Sequence, residues 1–413
     1  MNLLDSASLI ITPNGYKATK LYSVVPTDGS GDLTFGRTGN TATRINSSGV
    51  IESVLADKPR LDYLGTTCPK LLMEPQRTNI YNYSQELDNA YWTKGQTTVT
   101  ANAVTSPDGT TNADSLFETA ITSNFIVYKT FSATDATAYT ISAFVKANGR
   151  DYAYFNFLAN NGVFTESKIW FNLSSGVVGT TNAGITGSIE SYGNGWYRIS
   201  ATRTAEVTST GWLLLGISIA DNTFSYAGSA SVGLHVWGMQ LEEGAFATSY
   251  IPTTSASVTR NADACSKATA TALLGQTEGT IFVDFFVPKS NTEIFSLSKS
   301  SPLNLVRFRF LSGLFYGQTY VDGGAFNFNS SVAAGVAGSR AKLALAYKSG
   351  SISFYYNATL IGSSSGTFSG LSLDTIELAA SLGTPSASNN NYNSIAVWKT
   401  RLTDAELATL TSI

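Results

Sequence analysis

Two short segments place large rings and hydrogen-bonding side chains in strict alternation. In Asp151-Tyr-Ala-Tyr-Phe-Asn-Phe-Leu158, Tyr152, Tyr154 and Asn156 share one parity, and Ala153, Phe155 and Phe157 the other. In Lys168-Ile-Trp-Phe-Asn-Leu173, Lys168, Trp170 and Asn172 oppose Ile169, Phe171 and Leu173. Successive side chains of a strand point to opposite faces, so each segment carries an apolar face and a ring-plus-polar face. A flat ring can stack on the apolar side of a sugar while Asn and Lys bond its hydroxyls. The chemistry expected of Tyr152, Tyr154, Asn156, Lys168, Trp170 and Asn172 is glycan contact on an exposed aromatic face. The competing reading is that these rings pack beneath a loop, a neighbouring domain or another subunit, since aromatic residues also favour interfaces. Trp196 and Arg198 would join the same face if Tyr197 and Ile199 point inward.

Other reactive types carry weaker patterns. Glu242 and Glu243 are adjacent, so in a strand they face opposite ways and cannot share one glycosidic bond; a solvated turn is the expectation. Asp284 and Asp322 are conceivable calcium ligands, but no Asp-x-Asp-x-Asp-Gly loop supports them. No cofactor is expected. His235 alternates with Leu234 and Val236 and reads as a structural strand residue without a triad. Cys68 and Cys265 read as two small buried thiols, with a late disulfide as the alternative. No Gly-x-Ser-x-Gly, phosphate-loop or metalloprotease pattern occurs.

The elements that must position these residues are strands. Trp212-Leu-Leu-Leu-Gly-Ile-Ser-Ile219 alternates in the same way, with Leu213, Leu215, Ile217 and Ile219 on one side. Asp108-Gly109, Asn148-Gly149, Asn161-Gly162 and Asn194-Gly195 punctuate such runs as turns. Many short strands separated by turns predict antiparallel sandwiches. Helix is expected in two places. Thr403-Asp-Ala-Glu-Leu-Ala-Thr-Leu410 has capping-box spacing between Thr403 and Glu406, and Ser84 to Tyr91 has Ser84 as N-cap.

Composition narrows the function classes. The 26 basic and 29 acidic residues leave a formal charge of −3, so no basic footprint for nucleic acid is present. One histidine rules out a multi-imidazole metal site in one chain, and two cysteines rule out a four-cysteine zinc site. No stretch of about 18 apolar residues exists, so no membrane span is expected, and the N-terminus lacks the pattern of a secretory signal. A charged fraction of only 13%, with many Ser, Thr, Asn and Gly, suits a polar but adhesive surface.

Composition shifts divide the chain into residues 1–75, read as an extended attachment region, and sandwiches at 76–262 and 263–413. Several runs carry a resemblance in order: Arg77-Thr-Asn-Ile-Tyr-Asn-Tyr-Ser84, Ala90-Tyr-Trp-Thr-Lys94, Pro107-Asp-Gly-Thr110, Tyr139-Thr-Ile-Ser-Ala-Phe-Val-Lys146, Gly193-Asn-Gly-Trp-Tyr-Arg198, Trp237-Gly-Met-Gln-Leu-Glu242 and Thr248-Ser-Tyr-Ile-Pro252. They resemble a carbohydrate-binding-like jelly-roll module of bacteriophage virion proteins. Arg60-Leu-Asp-Tyr63 to Leu71-Leu-Met-Glu-Pro75 resembles the segment that often precedes it. Gly279-Thr-Ile-Phe282, Leu343-Ala-Leu-Ala-Tyr347 and Leu402-Thr-Asp-Ala-Glu-Leu407 resemble the concanavalin-A-like, laminin-G-like sandwich.

The resemblance implies an all-β fibre or decoration subunit of a phage head or tail that adheres to cell-surface glycans without cleaving them. It also implies a homo-oligomer, most simply a trimer, whose residues 1–75 dock on other virion proteins. Trp196 lies in a recurrent motif of the module and is implied to be core. A polysaccharide depolymerase or lyase, and a purely structural cement, are the rival functions. Residues 278–413 contain no Glu-x-Asp-x-x-Glu of the hydrolytic concanavalin-A-like type, which speaks against the first.

Overall fold

The computed structural model describes residues 3–39, 42–299, 304–321, 326–385 and 389–413. Strand accounts for 53% of the chain and helix for 4%, and strand pairing in the sheets is antiparallel, as the alternation requires. The chain forms two compact units, one from residues 41–53 and 77–260, the other from residues 1–40, 54–76 and 261–413.

The unit built mainly from 77–260 is a sandwich of two six-stranded sheets. One holds Phe125–Ala133, Ser209–Ser218, Tyr152–Phe157 and Ser167–Asn172 side by side; the other holds Thr111–Glu118, Gly233–Glu243, Ala138–Asn148 and Trp196–Thr204. Phe155, Phe157, Ile169, Phe171, Leu213, Leu215 and Ile217 meet Ile141, Val145, Ile199, Leu234 and Val236 in one buried core. These are the apolar parities read from the sequence. Ser84 is not a helix N-cap. It is fully buried, its hydroxyl bonds the Tyr250 hydroxyl at 2.6 Å, and the segment runs through turns. A tertiary partner has outcompeted the local cap.

The other unit packs a sheet containing Glu278–Phe286, Arg340–Lys348 and Asn390–Trp398 against one containing Ala264–Lys267, Thr375–Leu378, Thr292–Lys299, Asn304–Leu311, Leu314–Tyr320 and Phe326–Ala333. The helix Asp404–Leu410 follows, with the expected capping box between Thr403 and Glu406.

Residues 1–75 correct the expectation of an extended region. Leu9–Ile11 pairs with Val397 to Ile395, Lys70–Met73 pairs with the same strand further along, and Leu33–Gly36 pairs with Ala264–Lys267. Leu9–Ile11 and Lys70–Met73 are short runs buried without alternation, and Leu33–Gly36 is only four residues long, so period two does not reveal them. Each joins a sheet formed by distant residues, although Lys70–Met73 also pairs with Arg60–Asp62 and Leu33–Gly36 with Lys20–Leu21. Buried ion pairs join the same segments: Arg37 Nη1 lies 2.9 Å from Asp263 Oδ1, and Arg60 bonds both Asp263 and Glu74. An extended docking arm is therefore not found among the described residues of 1–75.

Candidate functional site

The six predicted residues do come together. Tyr152 pairs with Asn172, Tyr154 with Trp170 and Asn156 with Lys168 in exact strand register, on the face away from the core. The Tyr154 and Trp170 rings stack with centroids 5.7 Å apart and planes at 28°. The centre of the face is closed, however, and Tyr152, Lys168 and Asn172 at its edges are half-buried, which corrects the expectation of an exposed aromatic face. Tyr154 is 1% exposed, Trp170 2% and Asn156 5%.

Two local features close it. Gly216, directly opposite Tyr154, has no side chain, and a methyl there would overlap the Tyr154 ring. The ring can thus lie flat on the sheet. The loop after Ser218 then folds over Trp170, whose Nε1 donates to the Thr223 carbonyl at 3.3 Å. Asp221 anchors this loop by accepting from Thr180 N at 2.8 Å and Thr180 Oγ1 at 2.8 Å. The polar members are committed internally. Asn172 donates to the Tyr152 hydroxyl at 2.9 Å and accepts from Ser174 N at 2.9 Å. Asn156 donates to Glu166 at 3.2 Å, and Lys168 forms an ion pair with Glu166. Burial pushes the Tyr154 hydroxyl well above its ordinary pKa, as expected of a ring sealed from water. Packing beneath a loop, the competing reading, describes these rings.

Trp196 and Arg198 do not extend this face, because their strand belongs to the opposite sheet. Trp196 is buried and donates from Nε1 to the Thr105 carbonyl at 3.1 Å. Arg198 is buried too, bonding the Thr248 carbonyl at 2.6 Å and Ser142 Oγ at 3.0 Å. Glu242 is fully buried rather than in a solvated turn, and it accepts from Thr248 N at 3.0 Å, while Glu243 is exposed. Asp284 accepts from Arg340 Nε at 2.8 Å and Asn393 Nδ2 at 2.9 Å, so its oxygens serve an ion pair rather than a calcium ion. Asp322 lies outside the described residues. His235 is a strand residue whose Nδ1 sits 2.8 Å from Ser115 Oγ. Cys265 is buried and Cys68 exposed, which corrects the expectation of two buried thiols; neither is in a disulfide. Among the described residues no group of three or more His, Cys, Asp or Glu could hold a metal ion.

A polar face of mixed exposure lies in the unit containing residues 261–413: Ser296, Gln318 and Glu377 are buried at 0%, 4% and 5% exposure, Arg307 is half-buried and Asn329 is exposed. Across one of its sheets the register aligns Ser266, Glu377, Ser296, Arg307, Gln318 and Asn329 in a single row. On the other face of these strands Val306, Phe308, Leu297 and Ile376 fill the core. The row is hydrogen-bonded sideways: Arg307 Nε donates to Gln318 Oε1 at 2.7 Å, and Gln318 Nε2 to Asn329 Oδ1 at 2.9 Å. Arg307 Nη1 and Arg309 Nε lie 3.2 and 3.3 Å from Glu293 Oε1. Burial raises the Glu293 carboxyl above its ordinary value; Arg307 and Arg309 oppose the rise and nearby Glu377 adds to it.

Glu377 accepts from Gly383 N at 2.7 Å through one oxygen. Its other oxygen is buried without a hydrogen-bond partner among the described residues. Toward the open end, Asn329 is exposed, Tyr316 and Tyr320 are half-buried, and Phe326 is exposed against the Tyr320 ring. The result is a strip of planar donors and acceptors at strand spacing, about 4.7–4.9 Å, bordered by rings. Sequence reasoning missed it, although the signal is plain: in Asn304-Leu-Val-Arg-Phe-Arg-Phe-Leu311, Arg307 and Arg309 alternate with Val306, Phe308 and Phe310.

No protein-family model matches the chain, and a search of curated proteins finds no match. Among solved structures, similarity is found to the carbohydrate-binding module CBM40 of the Ruminococcus gnavus IT-sialidase bound to α2,3-sialyllactose. It has a TM-score of 0.30 and 18% identity, over 34% of this chain and 84% of that one. The NanB sialidase of Streptococcus pneumoniae aligns with a TM-score of 0.31 and 19% identity, over 36% of this chain and 26% of that one. A heptameric SAP-like pentraxin of Limulus polyphemus aligns with a TM-score of 0.29 and 15% identity, over 33% of this chain and 70% of that one. Scores at this level carry no weight for function, which rests on the side chains themselves.

Proposed function

We propose that the protein binds glycans without cleaving them, through the strip of Glu377, Arg307, Gln318 and Asn329, as an adhesion subunit on a bacteriophage particle. The strip carries this reading. Neutral sugars offer hydroxyls that both donate and accept, and a preorganised line of carboxylate, guanidinium and amides answers both roles. Half-buried Tyr316 and Tyr320 and exposed Phe326 supply ring faces beside it. The stems lie on a sheet rather than a loop, so little ordering is lost on binding. The phage setting rests on the sequence resemblance, as does self-association, with a trimer as the simplest form. Weak single contacts gain strength when several copies meet one polysaccharide-coated surface.

Glycan-array binding, followed by an assay for new reducing ends with the polysaccharides retained, tests the function. Binding without new reducing ends is expected. New reducing ends would establish the depolymerase reading, and no glycan bound at all would leave only a cement role. Light scattering tests self-association, with a monomer at every concentration as the opposing result.

A further inference from the structure

A second site lies on the unit formed mainly by residues 77–260, and it goes beyond the strip described above. A groove of about 490 Å³ opens there on the outer face of the second sheet. Ser48 to Val50, Val104 to Pro107 with Gly109, and Tyr192 to Asn194 wall it, and Lys146 and Trp196 line it as well. The volume falls in the range of small-ligand sites, about 300–1,000 Å³.

Its chemistry is one-sided. Lys146 is the only charged residue in the lining, and it makes no hydrogen bond or ion pair among the described residues. The register Ser115–His235–Lys146–Trp196 sets it in a row across the outer face. The rest of the lining is hydroxyl, amide and ring: Ser48, Thr105, Ser106, Asn194, Tyr192 and Trp196. The rim at Gly193, Asn194 and Gly195 has φ of 79°, 51° and 78°, a left-handed run that glycine and asparagine tolerate. Gly195 lies against the Lys146 stem, a first side-chain carbon there falling in ordinary contact 3.4 Å from Lys146 Cε.

We propose that this groove binds a carboxylate-bearing sugar, its carboxylate held by the Lys146 ammonium and its hydroxyls by the surrounding Ser, Thr and Asn groups. A lysine on an open surface is satisfied by water, but one set in a concave, partly desolvated site with no carboxylate of its own attracts an anion more strongly. The hydroxyl, amide and ring lining favours a sugar over a bare ion. The field of Lys146 already reaches His235: burial, and then this cation, hold the imidazole below its ordinary pKa of 6.5.

His235 is the only histidine in the chain, so its ring resonance reports on the groove without assignment of any other residue. Trigalacturonate and neutral maltotriose are titrated into the full-length protein. Trigalacturonate should shift the His235 signal and raise its titration midpoint, because it neutralises Lys146; maltotriose should do neither. Lys146→Met should weaken trigalacturonate binding by about tenfold or more, the scale of a lost charged hydrogen bond, and Lys146→Arg should retain it. Raising salt should weaken binding to the wild-type protein. Gln318→Ala, in the other unit, should leave the His235 shift and its midpoint change unchanged, so failure of the strip and failure of the groove are told apart. An unmoved His235 midpoint at saturating trigalacturonate, equal response to maltotriose, or full binding by folded Lys146→Met would each overturn the proposal.

Discussion

The outer faces of two sheets, one in each unit, follow the same alternation and end in opposite states. In Tyr152–Phe157 and Ser167–Asn172 the outward residues are three rings with Asn156, Lys168 and Asn172, and Tyr154 and Trp170 at the centre are sealed; in Asn304–Leu311 and Leu314–Tyr320 they are Arg307, Arg309 and Gln318 beside two tyrosines and three leucines, and the polar row leads to exposed Asn329. The difference follows from hydration. Tyr154 and Trp170 gain free energy from being covered, so a glycine opposite and a loop beyond suffice to close them. Arg307, Glu293 and Asn329 lose hydration when covered, so that face stays reachable along part of its length. Alternation identifies which side of a strand leaves the core, and the loop beyond Ser218 together with the rings it covers decides how far that side is closed.

The largest expected effect tests the sealed face. Trp170→Ala should destabilise its unit by about 3–5 kcal/mol, much as Phe155→Ala should, because both rings are buried. Urea unfolding followed by amide exchange within residues 125–218 measures it. A loss below about 1 kcal/mol would return Trp170 to an exposed role. Next comes the polar face: Arg307→Ala should cost about 1–3 kcal/mol, since it removes a cationic partner from the partly desolvated Glu293 and leaves Arg309 beside it. Arg307→Ala with Glu293→Gln should recover part of that loss in a double-mutant cycle.

The smallest effect is set by pH. The fold favours neutral His235, so its contribution is full above the unfolded value of 6.5 and declines as pH falls through that value. The partial exposure of both His235 and Lys146 keeps the effect small. Between pH 7.5 and 5.5 the wild-type protein should therefore lose slightly more stability than His235→Gln, measured by urea midpoint. Equal losses would mean that Lys146 and burial do not act on the ring.

The all-β fold and the six paired residues were legible because period two survives in long strands. The capping box at Thr403 and Glu406 was legible because it is local. The closure over Trp170 was not, since it depends on Asp221 meeting Thr180, a loop contact that alternation does not encode. Nor was the place of residues 1–75. Leu9–Ile11 and Lys70–Met73 are too short to show a period, and the strand Asn390–Trp398 that both join lies hundreds of residues away. The strip of Arg307, Gln318 and Asn329 was visible by the same rule that found Trp170. Its residues carry no ring within Asn304–Leu311 on the outward parity, so an aromatic signature does not single it out.

The central claim is that the strip recognises glycans, and a single comparison tests it most directly. Wild-type protein and Gln318→Ala/Asn329→Ala are applied to the same glycan array, with amide exchange confirming that both are folded. The two substitutions remove a donor and an acceptor from the strip while Arg307 stays paired with Glu293. Loss of about tenfold or more in binding to the glycans that the wild type retains is the predicted result. Undiminished binding by the folded double variant would contradict the account and place glycan recognition outside this face.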